Sequence, residues 1–162
     1  MTDSAIMVAD LRLRGGAGTV SAQLRWPVAG PVAVGLLVLF PAQATDPALA
    51  DRLCRCGSGL LVLVAHCRTP SDAVSTVEWA ADHAADLGVG GSPVALVGDG
   101  RGGALALAVA RHAAVAGWPV VDPLVLIDPP DPADPVRAHL LDRRGGGDVV
   151  TDLITLLEGT NR

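Results

Sequence analysis

Residues 93 to 105 read Pro-Val-Ala-Leu-Val-Gly-Asp-Gly-Arg-Gly-Gly-Ala-Leu, an apolar run broken by glycines that leads directly into a second apolar run. A strand turning sharply into a helix is built this way, and several chemistries use such a turn. In a nucleophile elbow, small residues flank a strained position whose side chain attacks a carbonyl, and the following backbone N–H helps to hold the oxyanion. That position is Gly100 here, and glycine has no group to attack with. In a dinucleotide-binding turn, G-x-G-x-x-G lets a pyrophosphate approach the helix start. Gly98, Gly100 and Gly103 satisfy that spacing, with Asp128 at the end of the next strand as the acid. Asp128, however, lies 30 residues past Gly98, whereas the fingerprint places its acid about 20 residues on. A third chemistry is binding alone. N–H groups at the helix start, with Arg101 beside them, can hold a carboxylate or phosphate. Gly98, Asp99, Gly100, Arg101 and Gly102 are then the candidate ligand-binding set. Beside these stands plain packing, in which the glycines only let a helix lie close on a strand.

Other groups capable of chemistry are scattered. Cys54, Cys56 and Cys67, with His66 beside the last, match no zinc spacing, and an odd number of thiols does not suggest a disulfide framework. They read as structural thiols. His66, His83 and His112 lie in or beside predicted elements with no partner legible from spacing, so core or surface roles are expected. No metal and no cofactor is implied.

The elements that must position the turn are legible from periodicity. Val20, Ala22, Leu24 and Trp26 alternate with Thr19, Ser21, Gln23 and Arg25, the pattern of a half-buried strand over 19–26. Residues 6–13 are its hairpin partner, and Gly15-Gly16-Ala17-Gly18 supplies the positive φ of the connection. Continuous apolar runs at Val34–Phe40, Leu60–Val64 and Val94–Val97 predict strands covered on both faces, and Leu124–Ile127 supplies the next strand. Between them, Asp46-Pro47 opens a helix that carries Leu49 and Leu53 and stops at Gly57. Ser71 caps a second helix running to Leu87 and stopped by Gly88, and Gly102 to Ala116 forms a third, apolar nearly all round and so expected deep. The expected fold class is α/β: an N-terminal β-hairpin followed by a mostly parallel sheet with helices on both faces.

After Asp128 the sequence becomes Pro-Pro-Asp-Pro-Ala-Asp-Pro, a stiff acidic stretch that reads as a solvated linker, with a lid as the alternative. Pro135 to Arg144 is expected to be helical, Gly145 to Gly147 to break, and Asp148 to cap a last amphipathic helix bearing Val149, Val150, Leu153, Ile154, Leu156 and Leu157. The whole chain, 1–162, reads as one domain, with a core over 1–128 and the acidic loop and C-terminal helices over 129–162.

Composition narrows the partners. A net charge of -5 leaves no basic surface for nucleic acid. The chain shows neither a secretory signal nor an apolar run of membrane-spanning length, so a cytoplasmic, non-membrane protein is expected. All 12 basic residues are arginine, which suggests a high-GC bacterial source.

Over residues 5 to 141 the chain resembles the α/β-hydrolase superfamily. Leu24-Arg25-Trp26-Pro27, and the segment from Asp72-Ala73 to Trp79-Ala80-Ala81-Asp82-His83-Ala84, look like the hormone-sensitive-lipase-like esterases. Val97 through Gly117-Trp118-Pro119-Val120 to Leu124-Val125-Leu126-Ile127-Asp128-Pro129-Pro130 looks equally like thioesterase domains. The resemblance implies a three-layer α/β/α fold and hydrolysis of acyl esters or thioesters, and the departures then matter. The esterases' Gly-Asp-Ser-Ala-Gly-Gly is Gly98-Asp99-Gly100-Arg101-Gly102-Gly103 here, so the serine is glycine. Asp99 is either a remnant of that pattern or the partner of Arg101. The His-Gly-Gly-Gly oxyanion loop would fall after Phe40, where this chain has Pro41-Ala42-Gln43-Ala44. Asp128 falls where the thioesterases keep their triad carboxylate. The triad base would come from a loop after a last strand, beyond a strand that follows the lid, and the chain is expected to stop before both strands are built. His139 is the only histidine after Asp128 and is expected on a surface helix.

These features imply a non-catalytic, pseudo-hydrolase member that binds a small acyl or anionic ligand or serves as a structural partner. The alternatives are an esterase or thioesterase using Asp128 with an unidentified or partner-supplied nucleophile, and a nucleotide-binding domain. With Leu124–Ile127 as the last strand, an open sheet edge remains. A homodimer, a complex with an active relative, or the final helix folded over that edge would cover it.

Overall fold

A computed structural model describes residues 5–28, 35–42, 48–55, 59–89, 93–128, 138–141 and 148–160. The chain forms β1 (Ile6–Arg14), β2 (Thr19–Pro27), β3 (Gly35–Phe40), α1 (Ala48–Arg55), β4 (Leu60–His66), α2 (Pro70–His83), β5 (Val94–Asp99), α3 (Gly102–Ala116), β6 (Val121–Ile127), β7 (His139–Leu141) and α4 (Val149–Thr160). One sheet runs β1-β2-β4-β3-β5-β6-β7. β1 pairs antiparallel with β2, β2 antiparallel with β4, and β4, β3, β5, β6 and β7 are mutually parallel. The expected α/β class, with its opening hairpin and mostly parallel sheet, is the fold observed.

All six residues of β3 and of β5 are buried because helices cover both faces of the sheet. Strand alternation then divides the core in two. Leu36, Val38, Phe40, Leu61, Leu63 and Leu96 face α2 and α3. Leu37, Leu39, Val62, Val97, Val125 and Ile127 face Leu53 and Cys54 of α1 and Val150, Leu153 and Leu157 of α4. On the first of these faces Val20, Ala22 and Leu24 of β2 are buried, as their alternation requires. Across the other face, Arg25 is held by an ion pair to Asp51 of α1 and donates to Gln23 Oε1 at 2.7 Å.

Several expectations are corrected. Residues 138–141 are not helical: His139, Leu140 and Leu141 pair with Val125, Leu126 and Ile127, because the unpaired N–H and C=O groups of β6 are a ready template for an extended segment. The edge on which a homodimer was expected is therefore occupied by β7. α4 does not fold over that edge but packs on a sheet face, with Leu153 fully buried. α2 starts two residues earlier than expected. Thr69, with extended backbone, is the N-cap; its hydroxyl accepts the Asp72 N–H at 3.1 Å, and Pro70 takes the first turn, where a missing N–H costs nothing. The helix ends at His83, and turns lead to Gly88. α3 buries one side only: Leu107 and Val109 are in the core, whereas Val115 is 91% exposed. Asp148 does cap α4, accepting from Val150 N at 3.3 Å, and Arg52 of α1 donates to both of its oxygens, tying the two helices together. The Asp46-Pro47 cap, the Gly57 stop and the acidic stretch after Asp128 lie outside the described residues.

If α4 is an integral part of the second core, Leu153→Ala should lower the unfolding free energy by roughly 2–5 kcal/mol. Val115→Ala should stay within about 0.5 kcal/mol. Urea denaturation followed by circular dichroism checks both, and a Leu153→Ala variant as stable as the parent would contradict the packing described.

Candidate functional site

β5 ends at Asp99, and the chain reverses into α3 over two residues. Gly100 has φ +54°, a left-handed conformation that L side chains rarely adopt. Its N–H donates to Ile127 O at 2.8 Å, and its carbonyl accepts from Gly103 N at 3.0 Å, so the turn is clamped between β6 and the first turn of α3. Two neighbouring glycines serve another purpose. A Cβ on Gly98 would lie 2.6 Å from the Cα of Gly103, and one on Gly102 would collide with the carbonyl oxygen of Phe40. Gly98 and Gly102 therefore let α3 approach β5 and β3 closely, which is the packing role weighed for them from sequence.

The candidate set divides accordingly. Gly98 lies beneath the helix, and Asp99 is 7% exposed at the strand end. Arg101 is exposed, and with Gly102 it lines a cleft of about 750 Å³. Gly100 stands beside it, 3.2 Å from the Ala42 side chain as judged by where its Cβ would fall. Ala42 also lines the cleft, while Gln43 and Ala44, the remainder of the expected oxyanion segment, fall outside the described residues. Asp128 follows Ile127, whose carbonyl holds Gly100; it adopts φ +45° and donates its own N–H to Leu141 O at 2.9 Å. The backbone at Asp128 is thus fixed by β7 on one side and, through Ile127, by the elbow on the other. His139 is an exposed residue of β7, level with Val125, and not a residue of a surface helix.

The cleft lies across the carboxyl ends of β3 and β4, where the chain leaves β3 for α1 on one face and leaves β5 for α3 on the other. Open α/β sheets bind ligands at such a switch point. Spacing alone did not single out its other walls. Ser21 and His66 are directly opposed register partners on β2 and β4, and both line it. Arg68 and Thr69 follow on the loop to α2, and the hairpin turn at Ala17 and Gly18 closes one side. That turn is fastened to α2, because the buried Asp72 carboxylate accepts the Ala17 N–H at 2.9 Å. Here Gly16 serves close approach to Ser71; of the turn's glycines only Gly18 has a positive φ, contrary to expectation.

Histidine partners absent from the sequence pattern are now visible. His83 stacks on Trp79 with ring centroids 4.6 Å apart, and His112 Nε2 lies 3.2 Å from Glu78 Oε1. His66 has its pKa lowered by partial burial, which favours the neutral imidazole. Cys54 is buried in the α1/α4 core, and desolvation, reinforced by the Asp51 carboxylate, pushes its thiol up to about 11. Cys67 is half-buried with Sγ 3.5 Å from Thr76 Oγ1, and burial raises its pKa also. Cys54 has the burial expected of a structural thiol, whereas Cys67 is half-buried and lines the cleft; Cys56 lies outside the described residues. No group of three or more His, Cys, Asp or Glu suited to a metal occurs among the described residues, and no described helix is long and apolar enough to cross a membrane.

A three-layer α/β/α fold with a sharp strand-to-helix elbow at the carboxyl end of β5 defines a class, and comparison with known proteins agrees with it. A family model for the alpha/beta hydrolase fold matches residues 68–151, more than half of the chain. This chain belongs to the α/β-hydrolase fold family. Among solved structures it is similar to an esterase of Pyrobaculum calidifontis, with 27% identity, a TM-score of 0.69, and coverage of 78% of this chain and 46% of that one. The carboxylesterase EstE1, cloned from a metagenomic library, is 24% identical with a TM-score of 0.69, covering 79% of this chain and 49% of that one. A bacterial heroin esterase is 21% identical with a TM-score of 0.69, covering 79% and 47%. The chain thus spans about half the length of these proteins. No curated protein sequence matches it.

Two measurements test the site's construction. Gly102→Ala should cost roughly 1–3 kcal/mol or more, since backbone must move to admit the methyl group; thermal denaturation beside Ala104→Gly, on the exposed side of the same helix, separates crowding from helix propensity. The Cys54 thiol, raised when folded, stabilises the native state below its unfolded pKa of about 9 and ceases to do so as pH climbs toward 11. The urea midpoint should fall over that window, and Cys54→Ala should flatten the fall.

Proposed function

We propose that this chain is a non-catalytic member of the family that binds a small acyl or anionic ligand beside the elbow. The single observation that carries the reading is Gly100 at φ +54°, at the nucleophile position, with no side-chain atom to attack a carbonyl. A triad without its nucleophile loses most of its rate enhancement, and what oxyanion stabilisation alone leaves is on the order of 10³–10⁴ over water. The turn nevertheless retains its shape. The start of α3 and Arg101 still border an open cleft, and an elbow kept without its nucleophile suits binding more than turnover.

One observation favours a second reading. Asp128 is held next to the elbow through Ile127 and Leu141, the place where a thioesterase-like triad acid would stand. If a nucleophile and base are supplied from elsewhere, the chain would hydrolyse acyl esters or thioesters, as the esterase names of its structural neighbours suggest. The G-x-G-x-x-G alternative is weakened by its acid, since Asp128 follows β6 at 30 residues past Gly98, whereas the fingerprint places it about 20 residues on.

Hydrolysis of p-nitrophenyl butyrate and of an acyl thioester by wild type, Gly100→Ser and Asp128→Ala decides between the two. Wild type and Asp128→Ala are expected to be equally inactive above the uncatalysed rate. Wild-type turnover abolished by Asp128→Ala would overturn the non-catalytic reading.

A further inference from the structure

We infer that the cleft beside the elbow binds a small organic carboxylate, its charged head met by Arg68 and Arg101 and its chain laid on the apolar wall formed by Pro41, Ala42 and Leu105. This deepens the ligand-binding reading above by naming the residues and the ligand class.

Three observations carry it. First, the cleft concentrates positive charge in an acidic chain. The protein has a net charge of -5, yet among the described residues the ionised ones lining the cleft are Arg68, Arg101 and Asp72. Of these, Asp72 is buried and its Oδ1 is already engaged by the Ala17 N–H. The balance offered to a ligand is cationic, and guanidinium groups match carboxylate geometry with paired donors. Second, neutral hydrogen-bonding groups stand in the same cleft. Ser21 and His66 oppose one another across β2 and β4, and a neutral imidazole can donate from one ring nitrogen. Third, the cleft is too large for an inorganic ion. At about 750 Å³ it falls within the range of pockets that hold small organic molecules, and part of its wall is carbon. A bare phosphate would leave that wall wet, whereas a carboxylate with a short alkyl chain would use both.

The cleft takes in the start of α3 but not Asp128. In the strand order, β4 and β3 lie on one side of β5 and β6 on the other. The cleft is at the ends of β3 and β4, and Asp128 is at the end of β6. Binding therefore does not require Asp128.

Titration of the protein with hexanoate, hexanamide and inorganic phosphate, followed by backbone amide NMR, tests the assignment. Saturable shifts centred on Ser21, His66 and Gly102 are expected with hexanoate, and binding weaker by roughly tenfold or more with either of the other two. Arg68→Ala and Arg101→Ala should each raise the hexanoate Kd by roughly tenfold, a loss of one charge-assisted contact. Arg12→Ala, which removes an exposed arginine on β1, should leave it unchanged. Both cleft arginines are exposed, so the variants should keep the parent's circular dichroism spectrum. Absence of saturable hexanoate binding, equal binding of hexanamide or phosphate, or indifference to both arginine variants would each overturn the proposal. Failure here leaves the non-catalytic reading standing, while wild-type ester turnover would remove that reading and leave hexanoate binding intact.

Discussion

The first turn of α3 lies against the carboxyl ends of β3 and β5 at a separation that admits no Cβ atom. Gly102 abuts the Phe40 carbonyl, and Gly98 abuts the backbone of Gly103. Because the helix sits this low, the chain between β5 and α3 must reverse within two residues, and the left-handed Gly100 makes that possible. The same closeness brings Gly100 N–H to the end of β6 and puts Arg101 at the rim of the cleft. Elbow, cleft and the station of Asp128 all follow from one helix-on-sheet distance.

The elbow is thereby separable from its usual chemistry. Its shape rests on backbone contacts and on glycines at 98 and 102, none of which requires a reactive side chain at 100. A glycine there avoids the strain that a side chain would bear at φ +54°. Around it the walls are fixed independently. The hairpin turn is fastened to α2 through Asp72, and Arg52 with Asp148 ties α1 to α4.

Much of this was legible in the residue pattern. Alternation along β2 and uninterrupted apolarity in β3, β4 and β5 follow from how many faces of a strand are covered, which is a local property. The start and stop of α3 were marked by glycine on both sides, and Asp148 was readable as a cap. Residues 138–141 carry no strand signal in the sequence because a strand of three residues has no periodicity to detect; its state is set by the open edge of β6. The cap of α2 was misplaced because Thr69 and Ser71 are both competent caps, and the position of Pro70 between them decides which one serves.

From the sequence by itself came the α/β class, the hairpin and the turn with Gly100 at its apex, since each depends on residue type and near-neighbour spacing. Tertiary structure alone decided that Ser21 meets His66, that Arg68 and Arg101 share a cleft, that Gly98 is spent on packing, and that β7 closes the edge of β6. Those are contacts between segments far apart in the chain, chosen by register, crossover and the burial of apolar area. No local spacing encodes which distant side chain will stand opposite.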